Sequence, residues 1–342
     1  MPNIKRLLIM YKKNILASGL TAFVVFSVLI ICSCSENSSF FCENHKIINP
    51  TDSPDTLTGE LIVSADTVDH IVGITANKNY LVATMDNSDK MYMVLSKNGE
   101  KQFCFGKKGH AGNEFKTSAR AKQLLENNRL IVNDVNAQTT HIVCLDDAKD
   151  PANFKFEADL ATPIAGLEVW YAGDSDLILL QQTNDNFVLT RTSSEYKSNV
   201  ELFKPNIPSF PNYQSLLTAN ANSTCIAMPM VHLNQINFFD FTHSQKKSVS
   251  LYEDAGIPES PLPGTYYCSV CTDGNLVYAL YMNQNSQDSY SVEKNMEIHV
   301  FDYDGNYKGR KFLPEYIVNI TMDKDGFLYG LNHDGSIYKY KL

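Results

Sequence analysis

From residue 57 onward the chain carries almost no helical stripe. Short apolar runs, alternating or rich in Tyr and Phe, recur instead, split by Asn-Gly or Asp-Gly pairs at 98–99, 273–274, 304–305, 325–326 and 334–335. Such pairs are hairpin signals, because both residues of the tight turn tolerate positive φ. One longer unit repeats: an apolar strand, a polar turn, then a second strand closing on a charged or polar turn. Its copies begin at Leu81, Leu130, Leu177, Cys225, Leu276 and Phe327, at intervals of 49, 47, 48, 51 and 51 residues. Six copies at a nearly constant interval predict an all-β, six-bladed β-propeller over residues 57–342, with the repeated pair as second and third strands of each blade. The last copy reaches Leu342 one strand short. The strand expected near residues 59–65 is the spare that would complete it, closing the ring and hiding two sheet edges.

Residues 1–33 read as a signal peptide: Lys5, Arg6, Lys12 and Lys13, then an apolar run over 15–31, then small or thiol residues. Ile31-Cys32-Ser33-Cys34 resembles the bacterial lipobox, whose invariant cysteine is acylated and becomes the new N-terminus. The resemblance makes Cys34 the lipidation site. Residues 34–56 are polar and turn-rich and read as a flexible stalk. The expected address is an exported, membrane-anchored lipoprotein facing the periplasm or the cell surface, at the outer membrane.

With the leader removed, 25 basic residues stand against 38 acidic ones. That surface repels phosphate backbones, so nucleic acid is not an expected partner. Six cysteines remain after Cys32 and Cys34. Cys268 and Cys271 have CxxC spacing, but their flanks read as strand rather than the start of a helix, so buried thiols are expected.

Residues 106–115, GKKGHAGNEF, are similar to the G-x-G-P-G-E-F turn of TolB-like or NHL-like six-bladed propeller lipoproteins of Gram-negative bacteria. Gly109, Glu114 and Phe115 match, whereas Ala111, Gly112 and Asn113 depart from the family's G-P-G. The resemblance implies the fold and an envelope location, and no reaction.

Strand alternation puts each turn between second and third strands on the same face as the links between blades. That face collects the longest polar loops, at 253–263 and 283–295, and the 109–115 turn. His110, Glu114, His232, Asn283, Tyr290 and His333 are therefore the candidate ligand-binding residues. The three histidines come from separate turns, so no metal site is assigned. Asp302/Asp304 and Asp323/Asp325 look faintly like calcium loops but lack the distal Glu. Trp170, the single tryptophan, reads as blade core. No catalytic set and no cofactor are assigned. The expected function is a non-catalytic binding module for an envelope protein, peptide or glycan; the alternative is a metal-dependent propeller hydrolase or lyase with its site in the central channel.

Overall fold

A computed structural model describes residues 45–342 except 68–69, 87, 117–118, 151–153, 162–167, 174–175, 183–186, 193–196, 204–213, 253–263 and 285–295. Cys34, Tyr290 and the two long loops, apart from Asn283 and Gln284, lie outside the described residues. Six antiparallel sheets follow one another along the chain. The first blade comprises Ile71–Ala76, Leu81–Met85, Tyr92–Leu95 and Lys101–Phe105; the second, Ala119–Leu124, Arg129–Asp134, Thr139–Cys144 and Ala158–Ala161. Glu168–Gly173, Asp176–Gln182, Phe187–Thr192 and Lys197–Phe203 form the third. The fourth is Thr218–Ala219, Cys225–Pro229, Ile236–Asp240 and Gln245–Leu251, and the fifth Thr265–Thr272, Leu276–Gln284, Met296–Asp302 and Tyr307–Leu313. Ile317–Met322, Phe327–Asn332 and Ile337–Lys341 make the sixth, whose outermost strand is Glu60–Val63, antiparallel to Ile337–Lys341.

The repeat is visible in the sequence because the second strands are covered on both faces by neighbouring blades. Leu81–Met85 is buried at all five positions, so it reads as a continuous apolar run rather than an alternation. The cores lie between blades: Leu280, Ile298 and Leu313 of the fifth pack with Ile317, Ile320 and Leu328 of the sixth. All five turn glycines have positive φ. At Gly99 a Cβ would overlap the carbonyl oxygen of Ile62, so the turn is also a point of close chain approach.

The N-terminal segment departs from the expected stalk. His45–Ile48 runs parallel to Gln245–Leu251 as a fifth strand on the fourth blade, and Asp55–Thr56 does the same against Tyr307–Leu313 on the fifth. His45 Nδ1 lies 2.8 Å from Ser248 Oγ. Arg310 donates to the Asp52 carbonyl, and Tyr307 donates to its carboxylate at 2.8 Å. Residues 45–56 are therefore a docked strap. Their polar composition hid this, because edge pairing uses backbone groups and leaves the side chains exposed. Among the described residues no helix is long and apolar enough to cross a membrane.

Candidate functional site: the central channel

The innermost strands of all six blades line one cavity of about 810 Å³, within the usual range for small-ligand pockets. The first strand of each sheet is a sheet edge, and several of its N–H groups are capped by a side chain from the preceding blade. Asn319 Oδ1 accepts from Ile74 N at 2.9 Å and Thr321 Oγ1 from Ala76 N at 3.1 Å. Ser269 Oγ accepts from Ile320 N at 3.0 Å, and Gln123 Oε1 from Tyr171 N at 2.6 Å. These polar side chains stitch fifth blade to sixth, sixth to first and second to third, and so hold the channel open at a fixed width. Gly73 lies on its wall, where an added Cβ would meet nothing within 4 Å. Lys122 and Glu168, on the second and third blades, form an ion pair at 2.8 Å. Arg120, the second residue of its strand and so close to the loop face, is exposed on the same wall. Trp170 also lines the cavity, donates to Ser223 Oγ at 3.3 Å and packs its ring against the core between third and fourth blades.

The loop-face candidates do not converge. Glu114 is turned onto its own turn, where its carboxylate accepts from Ala111 N at 3.0 Å, and a Cβ at Gly109 would overlap that carboxylate. Phe115, fully buried, packs against Tyr92, Phe154, Phe156 and His141. The family-like turn is thus a structural plug between first and second blades. His232 Nδ1 sits 3.1 Å from the Gly264 carbonyl; His333 Nδ1 lies 2.8 Å from Asn332 Oδ1, with its ring beside Tyr316. His110 is exposed, as is Asn283, which has φ 44°. Among the described residues no three His, Cys, Asp or Glu side chains group to hold a metal. The calcium-like turns are explained by their own hydrogen bonds. Asp302 Oδ1 accepts from Asp304 N and Asn306 N, and Asp323 Oδ1 from Asp325 N and Phe327 N. Lys97 neutralises Asp323.

Cys268 and Cys271 lie in one strand as free thiols within the core between fifth and sixth blades. Burial pushes the Cys268 thiol up to about 12 and that of Cys271 higher still, so both are inert as nucleophiles.

Sequence reasoning missed a polar cluster formed by the fifth blade and Tyr252, which follows the last strand of the fourth. His299 is fully buried, with Nδ1 3.1 Å from Tyr267 OH, Nε2 3.3 Å from Glu297, and its ring stacked on Tyr281. Tyr252 donates to Glu297 at 2.6 Å and accepts from Arg310 at 2.6 Å. Burial lowers the His299 pKa in spite of Glu297. The hydrogen bond from His299 holds the Glu297 carboxyl below its ordinary range, and burial raises Tyr252 to about 12. This network ties strap, blade edge and loop bases together. A strand-period signal does not distinguish such residues from surface polar positions, so the sequence offered no cue.

No protein-family model and no curated protein matches the sequence. The fold defines a six-bladed β-propeller, and solved structures agree. A candidate exported protein from Bacteroides fragilis is 12% identical with a TM-score of 0.54, over 86% of this chain and 98% of that one. A member of the DUF4221 family from Bacteroides vulgatus is 9% identical with a TM-score of 0.55, over 83% and 97%. At these identities the likeness establishes the fold alone.

Proposed function

We propose that this chain is an exported, lipid-anchored propeller, acylated at Cys34, that binds an envelope protein, peptide or glycan without catalysis. The observation that carries the reading is the preformed channel of about 810 Å³, held open by side-chain stitches and walled by residues of every blade. Lys122 and Glu168 on its wall are ion-paired with each other. The leader, the lipobox and the TolB-like or NHL-like turn support the envelope location.

The test is co-purification from gently cross-linked native membranes, with wild type beside Cys34→Ser and Gly73→Leu. Leucine at position 73 projects into the lumen, where its Cβ meets no atom within 4 Å, and narrows the channel at that level. A defined partner lost in both variants is the expected result. A partner retained by Gly73→Leu removes the channel from the proposal, and one retained by Cys34→Ser removes the anchor.

A further inference from the structure

Resting on that reading, we propose that the channel receives an extended peptide segment whose free C-terminal carboxylate docks on Arg120. In a chain with an excess of acidic residues, Arg120 stands exposed on the channel wall, and among the described residues no carboxylate pairs with it. The next cation along the strand, Lys122, is already neutralised by Glu168, so Arg120 is the charge left for a ligand at this end. Glu126 and Lys324 lie at the far end, in the turns between first and second strands of their blades. A guanidinium presents its donors in a planar fork that matches a carboxylate in two parallel hydrogen bonds.

The walls select the rest of the ligand. Val72, exposed by 49%, and Leu216, Val270 and Val318 offer aliphatic contacts beside the partly capped edges of the innermost strands. A peptide, with amides alternating with side chains, matches both kinds of surface. A fatty acyl chain would have to desolvate Lys122, Glu168 and Gln123 without pairing them.

Trp170 is the sole tryptophan and lines the cavity, so its emission reports occupancy. The full chain, purified in detergent, is titrated with a random-sequence pool of N-acetylated hexapeptides bearing free C-termini, and with the same pool amidated. The free acids are expected to half-saturate at a concentration about ten-fold lower, the factor for a charge-assisted hydrogen bond of about 1.4 kcal/mol. Arg120→Gln brings the acids to the level of the amides, Arg120→Lys retains part of the preference, and Gly73→Leu weakens both responses. Equal response to acid and amide in wild type, or preference surviving in Arg120→Gln, overturns the proposal while leaving a channel site weakened by Gly73→Leu in place. Silence of both pools overturns it as well, and a response insensitive to Gly73→Leu sinks the channel reading with it. The free-acid pool displayed at the C-terminus of a bulky carrier then separates two sources: a protein tail binds in both forms, a short free peptide only when released.

Discussion

The contact between Gly109 and Glu114 gives a quantitative test of what the family-like turn is for. Glu114 accepts from Ala111 N at 3.0 Å in a half-exposed turn. A charge-assisted bond of this kind contributes about 1.5–3 kcal/mol when buried, and about 1 kcal/mol after screening by solvent. Glu114→Ala should therefore cost about 1 kcal/mol of local stability and speed hydrogen exchange at the Ala111 amide about five-fold. Gly109→Ala should do the same by another route, because its Cβ takes the space the carboxylate occupies. Gly109 does not have positive φ, so alanine adopts its backbone without strain. Once the Glu114 carboxylate is removed, the three atoms nearest to that Cβ are gone. The second substitution then becomes neutral, or stabilising by about 0.4–1 kcal/mol through the reduced freedom of the unfolded chain. The double-mutant cycle thus predicts a coupling of about 1 kcal/mol, read from Ala111 exchange in the four proteins. Additive effects, or an Ala111 amide indifferent to Glu114→Ala, would refute the argument and return Glu114 to the pool of candidate ligand-binding groups.

Acid should weaken the protein in two stages. Because burial depresses the His299 pKa, the unfolded chain takes up a proton near pH 6.5 that the folded one refuses; stability is full above that pH and falls below it. A second loss begins below about pH 4.5, where Glu297 is protonated more readily in the unfolded chain. His299→Gln should flatten the first stage in thermal melts between pH 8 and 5, and an unchanged slope would remove His299 as its source. Arg310→Ala breaks the donations to the Asp52 carbonyl and Tyr252, and should loosen the strap by about 2 kcal/mol. Limited proteolysis within 45–56 reads this out, and continued resistance would show that strand pairing alone holds the segment.

Second strands begin at Leu81, Arg129, Asp176, Cys225, Leu276 and Phe327, within one residue of the six repeat starts. That much was legible because a strand buried on both faces must be apolar throughout, and because the turns need glycine. The strap was not legible. His45–Ile48 shows a burial pattern with its two central residues exposed, and it is held by backbone pairing that any polar sequence can make. Nor were the channel stitches: Gln123, Ser269, Asn319 and Thr321 matter through which backbone N–H they reach in another blade. Alternation placed His232 and His333 in turns between second and third strands, yet each is occupied by a neighbour there, which only side-chain packing decides. Arg120 carried no motif at all; its interest comes from where the ring puts it.

The segment from His45 to Val63 pairs in turn with the fourth, fifth and sixth blades, through contacts such as His45 with Ser248, Asp55 with Lys311 and Val63 with Ile337. Every partner lies more than 200 residues downstream, so on the ribosome this early stretch has nothing to pair with until almost the whole chain has been made. Closing a loop of that length costs about 5 kcal/mol in chain entropy, repaid only when all three edges are in place together. The residues that fasten these three edges are thus among the first to be made and the last able to pair. Until that moment three sheet edges stand open, and this is the interval in which the nascent protein is most exposed to misassociation.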